Sequence, residues 1–345
     1  MSTETTQPGA LEPEHEPPPP RAPWWQRFVT GSSAPIGLIL AGLIVVFSLL
    51  EYENFVSVSN ARNITTDAAV LLVLAVGSTF VIVTAGIDLS VGSVLVFSGV
   101  MAAEAMESVG GDNVGTILAG LAAALASGFG WGVVNGFLIA KAKIPPLIVT
   151  LGTLGMALGF ALLITGGVDK RDVPFKLVET VGSGRLFDEI PYLVLIAFGV
   201  ALVGGVLLAA TRFGRYTYAI GSNEEGARRA GVAVDRHLIK VYALAGTLSG
   251  LAGFLSLARF ATTTLGGHST DNLQAIAAVV IGGTSLFGGI GTMLGSVFGV
   301  FIPAVLQNGF VIVGVNPFWQ NIAVGAVLIG AVYLDQLRRR SQYQR

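Results

Sequence analysis

The chain has 345 residues, 52% of them apolar and only 12% charged, with a formal net charge of -1 and a mean hydropathy of +0.72. A chain with about half the usual share of charge cannot cover its own surface, which excludes an ordinary soluble globular protein and marks a polytopic membrane protein. Near-neutrality without a basic domain excludes a nucleic-acid partner, and the absence of Cys excludes disulfides, thiolate metal sites and Cys nucleophiles.

Residues 1–30 stand apart. Eight of the 14 prolines fall at or before Pro35, and Glu12–Pro20 reads EPEHEPPPP. That composition buries no core, so a disordered, Pro-rich cytoplasmic tail is expected. Trp24 and Trp25, beside Arg21 and Arg27, have the make-up of an interfacial anchor. No small-residue cleavage site follows the first apolar run, which therefore reads as an uncleaved span.

A span needs about 20 mostly apolar residues. In chain order the candidates are Ala34–Leu50, Ala68–Ala85, Leu89–Met106, Val114–Ala140, Ile144–Val168, Pro191–Thr211 and Val241–Ala258. From Asn272 to Leu334 there are 63 residues without Asp, Glu, Lys, Arg or His, room for three more spans divided near Gly288–Gly291 and Asn316–Pro317. The expectation is an all-α membrane domain over residues 31–337 with about ten helices, nine or eleven if the glycine-rich breaks are re-entrant. A basic tail follows at 338–345. With both termini on one side, that side holds 14 of the 20 Lys and Arg residues, so both termini are expected in the cytoplasm. The loop at about 212–240 then lies in the cytoplasm, and Asp169–Ile190 lies outside.

Within the cytoplasmic loop, Asn223 can cap a short helix that carries Glu224 and Glu225 in its first turn, where the dipole favours anions. Gly231 stands where that helix would stop. The helix exposes Glu225, Arg228 and Arg229, either as a solvated loop or as a docking surface for a soluble partner. Deeper in the membrane, Asp88 lies between two apolar runs in Gly86-Ile-Asp-Leu-Ser-Val-Gly-Ser93, so it should face protein or water. Asp88 and Ser90 either cap a restarted helix or form part of a pathway gate.

A third break, Gly282-Gly-Thr-Ser-Leu-Phe-Gly-Gly-Ile-Gly291, repeats the spacing Gly-x-x-Leu-x-x-Gly found at Gly86. It reads as close backbone packing or as a broken helix lining a cavity. Asn135, Thr150, Thr153, Gln274, Gln307, Asn308, Gln320 and Asn321 are further polar groups inside spans, and Trp131 and Trp319 have rings able to stack on a sugar. Together they suit a neutral polar solute better than an ion. The candidate pathway residues are Asp88, Ser90, Asn135, Gln274, Thr284, Ser285 and Asn308. Neither a Walker-type loop nor His-Glu-x-x-His occurs, and His15, His237 and His268 are too scattered for a metal site.

Glu225-Gly226-Ala227-x3-Gly231 has the spacing of the EAA loop of ATP-binding-cassette import permeases. The blocks Gly214-Arg-Tyr216, Ala219-Ile-Gly-Ser-Asn-Glu224 and Ala230-Gly-Val232, with Gly86–Ser93 and Ala275–Gly289, resemble the ribose-type sugar permease family over about residues 35–337. The resemblance implies the membrane subunit of a bacterial importer for a sugar, with two copies forming the pathway. It further implies an ATPase subunit that holds ATP and Mg, an extracytoplasmic sugar-binding protein, and no cofactor or catalytic residue in this chain. Asn223, Glu224, Glu225, Gly226, Ala227, Arg228 and Gly231 would couple it to the ATPase. An ion-coupled secondary transporter with Asp88 as its carboxylate is the alternative from another class. Branched-chain amino acids or a furanone-type signal are alternative solutes within the permease class.

Overall fold

The computed structural model describes residues 34–316 without a gap, and beyond them Trp319, Ile322, Gly325, Ala326 and Tyr333. The Pro-rich segment with Trp24 and Trp25, most of the tenth expected span, the 338–345 tail and both termini lie outside the described residues. The elements are α1 (Ala34–Leu50), α2 (Tyr52–Phe55), α3 (Val58–Val83), α4 (Val91–Val109), α5 (Val114–Ala140), α6 (Pro146–Thr165) and α7 (Phe175–Leu177). There follow a π-helical turn (Val178–Gly182), a two-residue hairpin of β1 (Arg185–Leu186) and β2 (Ile190–Pro191), α8 (Tyr192–Ala210), α9 (Arg212–Ser222) and α10 (Glu224–Arg229). The last three are α11 (Val234–Phe260), α12 (Asp271–Ile281) and α13 (Met293–Val313).

Among the described residues, seven helices are long and apolar enough to cross a membrane: α3, α4, α5, α6, α8, α11 and α13. The chain is an all-α polytopic membrane protein. Two of these helices begin earlier than the apolar runs suggest. α3 starts at Val58 rather than Ala68 because the Ser57 side chain accepts from the Asn60 amide at 3.1 Å, and its first turns carry Arg62 and Asp67, each in an ion pair. α11 starts at Val234 rather than Val241, with Asp235 in its first turn.

The larger departure concerns α12. At 11 residues it spans about 16 Å, half the ~30 Å apolar thickness of a bilayer. The first third of the charge-free stretch is therefore a half-helix flanked by two irregular segments, 261–270 and 282–292. It stops at Gly282, where a Cβ would strike the backbone of Gly295 and Ser296.

α3 and α11 form the centre, with 83% of their apolar windows buried, against 28% for α5 and α6. Large apolar side chains on α1, α6 and α8 (Leu38, Leu49, Leu163, Leu202) face outward, as lipid-facing helices require. α5 lies against α11 along Gly128, Gly132 and Gly136, one face of the helix at i, i+4 and i+8. A Cβ on any of the three would enter the backbone of α11 at Gly246–Gly250, Tyr242–Ala243 or Ile239. With no hydrophobic force between helices in lipid, such close backbone contact supplies the attraction.

Candidate functional site

The charged loop residues gather in two separate clusters. One holds the ion pairs Arg62–Glu189, Asp67–Arg259 and Lys170 with Glu104 and Glu107, the last at 2.6 Å. Hydrogen bonds to Glu104 and then Glu107 hold the Lys170 ammonium above its usual range. Here the Lys176 amide also donates to Asp112, and Asp169 accepts from Thr263 and Leu265. The other cluster is centred on Asp235, whose carboxylate meets Lys141 at 3.3 Å, Lys143 at 3.1 Å and Arg228 at 2.9 Å. The basic residues of the first cluster are Arg62, Lys170, Lys176 and Arg259, and those of the second are Lys141, Lys143 and Arg228.

At the Asp235 end the helix expected at Asn223 is α10. The Asn223 side chain accepts from the Gly226 amide at 2.8 Å, Glu224 and Glu225 occupy the first turn, and Gly231 follows the last turn with φ +83°. Glu224–Arg228 and Glu225–Arg229 are i,i+4 ion pairs. Hydrogen bonds to Asp235 and Glu224 raise the Arg228 pKa. Ala227, however, is buried against Ile220 and Val234, so its small side chain fits the loop to the bundle instead of facing a partner. A Cβ at Gly231 would meet no heavy atom within 4 Å, so glycine serves the left-handed backbone there and not a close approach.

α9 connects this loop to the interior. Its Thr217 hydroxyl lies 2.9 Å from His237 Nε2 on α11, and its Tyr218 hydroxyl donates to the Gly291 carbonyl at 2.7 Å. Burial pushes the Tyr218 phenol pKa up. Gly221 sits so close to the Val83 carbonyl and the Gly289 amide that a Cβ has no room, and the Gly289 amide itself donates to Val83 at 2.9 Å. The α9 terminus thus touches both the end of α3 and the 282–292 turn.

Between the two ends lies the α3–α4 break. Asp88 is 3% exposed; its Oδ1 accepts from the Ser90 amide at 2.8 Å and the Ser90 hydroxyl at 2.6 Å. Asn135 on α5 donates to the same hydroxyl at 2.9 Å, and Thr150 on α6 reaches the Ile87 carbonyl at 3.3 Å. Asn272, in the first turn of α12, donates to the Leu89 carbonyl at 2.9 Å, and Gly92 abuts the His268 carbonyl. Asp88 thus closes a tight turn onto Ser90, the residue before α4, and three other helices grip the break.

A cavity opens on each side of this septum. That at the Asp235 end, about 440 Å³, is lined by Thr84, Ala85, Gly86, Lys143, Ser222, Asn223, Glu224 and Tyr242 among others. The Tyr242 hydroxyl is buried without a hydrogen-bond partner among the described residues. The cavity at the Arg62 end, about 480 Å³, lies between α3, α11, α12 and α13. Its walls include Asn63, Asp67, Arg259, His268, Asp271, Gln274, Gln307 and Asn308.

Of the candidate pathway residues, Gln274 and Asn308 line this second cavity, and Asp88, Ser90 and Asn135 form one hydrogen-bonded cluster in the septum. Thr284 and Ser285 lie in the 282–292 turn and line neither cavity. Trp131 packs between Phe97 and Phe160, also away from both. Asn223 and Glu224 border the cavity at the Asp235 end. Sequence reasoning missed Asp67, Arg259, His268 and Asp271. Asp67 and Arg259 are 192 positions apart, beyond any local pattern, and the short loop 261–270 gives no sign that it turns back into the bundle. No group of three or more His, Asp or Glu able to hold a metal occurs among the described residues.

The family model described as "Branched-chain amino acid transport system / permease component" matches residues 60–332. The ribose import permease protein RbsC of Escherichia coli (strain K12) is 37% identical over 309 residues, covering 88% of this chain and 93% of that protein. The galactose/methyl galactoside import permease protein MglC of the same organism is 36% identical over 88% of this chain and 94% of its own length. The fructose import permease protein FrcC of Rhizobium meliloti is 32% identical over 91% and 88%. No solved structure matches the chain.

Proposed function

The chain belongs to the family of branched-chain amino acid transport system permease components, and from that premise we propose that it is the membrane subunit of an ATP-driven importer for a monosaccharide. The observation that carries this reading is the end-to-end match to permeases named for ribose, galactose and fructose import. The subunit works in a bacterial cytoplasmic membrane, as a pair of copies, with a separate ATPase that binds ATP and Mg and with a sugar-binding protein outside. The Asp235 end faces the cytoplasm and the Arg62 end faces the binding protein.

On this reading α10 is the face that meets the ATPase. Movement of α10 passes through Asn223 to α9, and from Gly221 to Val83 and Gly289, the two backbone segments that bound the septum. The movement alternately opens, to one side and then the other, a pathway that the two copies form together. Asp88, the carboxylate an ion-coupled mechanism would need, has Oδ1 engaged twice by Ser90, which supports a capping role. The test is uptake of labelled D-ribose, D-galactose, D-fructose and D-allose by cells with and without the chain. Loss of one of these in the deletion, restored by the gene, is the expected result. Unchanged uptake of all four, with loss of branched-chain amino acid uptake, would overturn the sugar assignment.

A further inference from the structure

We infer that Tyr242 is a positioning residue of the transport cycle: its hydroxyl, unpaired in this structure, donates a hydrogen bond to Asn135 Oδ1 once the α3–α4 break has moved. The inference rests on the reading of the chain as an ATP-driven permease and names a bond that one of its two states gains.

The tyrosine is fixed at its root. A Cβ on Gly136 would lie 3.2 Å from the Tyr242 Cβ, and one on Gly132 would enter the Tyr242 carbonyl, so α5 and α11 are locked together here. The ring reaches away to the break, where its hydroxyl lies 2.5 Å from the place a Cβ would take on Gly86. The residue is 1% exposed, and no described residue gives the hydroxyl a hydrogen bond. A buried hydroxyl in that condition has given up water without replacement, which weakens the state that holds it.

A matching acceptor stands on the same helix as the two glycines. Asn135 Nδ2 donates to the Ser90 hydroxyl at 2.9 Å, and that hydroxyl gives its only proton to Asp88 Oδ1 at 2.6 Å. This order of donors fixes the amide: only Nδ2 can face Ser90, and Oδ1 is the other end. Asn135 Oδ1 is also buried without a partner among the described residues. One unpaired group can donate and the other can only accept. They stand on locked helices, Asn135 being the residue before Gly136.

The part that can move is the break beneath the hydroxyl. Ala85 holds φ +62°, a left-handed backbone that a Cβ disfavours. Gly288, at φ +81°, packs so closely on Ala85 and on the Gly221 carbonyl that a Cβ there would lie 2.8 Å from both. A shift of α9 that follows the ATPase therefore reaches Ala85 through Gly221 and Gly288 and carries Gly86 with it. Gly86 slides off the hydroxyl, while Tyr242 and Asn135 keep their mutual place through Gly132 and Gly136. The freed hydroxyl turns to Asn135 Oδ1, and both groups are satisfied.

The test uses the chain reconstituted with its ATPase and sugar-binding protein, and the variant Tyr242→Phe, which removes the hydroxyl and little else. The chain's thermal midpoint is measured without nucleotide and after trapping with ATP and vanadate, together with ATP-driven uptake. The variant is expected to melt at least about 2 °C above wild type without nucleotide and at least about 2 °C below it when trapped. Uptake should slow about threefold or more. A packing role alone moves both midpoints the same way, and a nucleotide-free midpoint at or below wild type shows a hydroxyl already bonded in that state. Either result overturns the inference, as does any other outcome without the reversal, or uptake equal to wild type. In the trapped state, Tyr242→Phe combined with Asn135→Ala should melt where Asn135→Ala alone does; a further drop as large as that of Tyr242→Phe excludes Asn135 as the partner and overturns the pairing. If the wild-type complex imports sugar and the midpoints do not reverse, the inference fails and the function stands. If it imports none, the functional reading fails and the inference falls with it.

Discussion

Replacing Gly132 by Ala adds one methyl group at a close contact between two helices of the bundle core. Its Cβ would lie 2.8 Å from the Ala243 Cα and nearer still to the Tyr242 carbonyl oxygen. Carbon atoms settle at about 3.5–4.0 Å, so α5 and α11 must part by about 0.7 Å or more or tilt apart. Both partners are backbone and cannot rotate away. Overpacking of this kind costs about 1–3 kcal/mol. Gly130, two residues earlier, has no heavy atom within 4 Å of the equivalent position and is exposed. Alanine there adds the same methyl group and gains the same helix propensity, up to about 1 kcal/mol in water, without the clash. The comparison therefore isolates packing.

In detergent, the thermal midpoint of Gly132→Ala should fall below that of Gly130→Ala by roughly 2–12 °C, taking about 2–4 °C per kcal/mol. Equal midpoints for the two variants would show that the α5–α11 contact is looser than described and would refute the reasoning.

In the septum, Asp88→Asn keeps an oxygen for the Ser90 amide and hydroxyl whereas Asp88→Ala does not, so uptake should survive better in the Asn variant; equal loss in both would show that the charge itself matters and would favour ion coupling. At the coupling loop, Asp235→Asn loosens the hold on Lys141, Lys143 and Arg228, and is expected to reduce substrate-stimulated ATP hydrolysis while changing stability little, since exposed ion pairs contribute about 0–1 kcal/mol each. Gly231→Val should impair co-purification of the ATPase more than Gly231→Asn, because Asn tolerates a positive φ and a β-branched residue does not; the opposite order would remove backbone conformation as the reason for glycine. In this Cys-free chain, Cys at position 176 should react with an impermeant thiol reagent from outside and Cys at position 228 only from inside; the reverse pattern would invert the topology.

Local signals in the sequence proved readable where their cause is local. The Asn223 cap, the acidic first turn and the glycine after α10 are set by residues within one or two turns, and all three stand where the spacing puts them. The chain break at Asp88 is likewise announced by a glycine and a carboxylate between apolar runs. What escaped depends on distant partners. Apolar composition reports that Asn272–Leu334 is buried in protein or lipid, but not that α12 ends after 11 residues against the backbone of α13. Ala227 is small because Ile220 and Val234 leave it little room, a constraint that looks the same in sequence as a need for close approach by another chain. The titratable groups of the cavity at the Arg62 end are contributed by α3, α11, the segment before α12 and the first residue of α12, which meet only in the folded bundle.

The most direct test of the account is reconstitution of the chain with its ATPase and sugar-binding protein in proteoliposomes, following labelled sugar and phosphate release together. The account predicts that sugar-loaded binding protein stimulates ATP hydrolysis and that sugar accumulates only when ATP is supplied on the Asp235 side. Accumulation driven by an ion gradient across the same vesicles, with the ATPase left out, would contradict it.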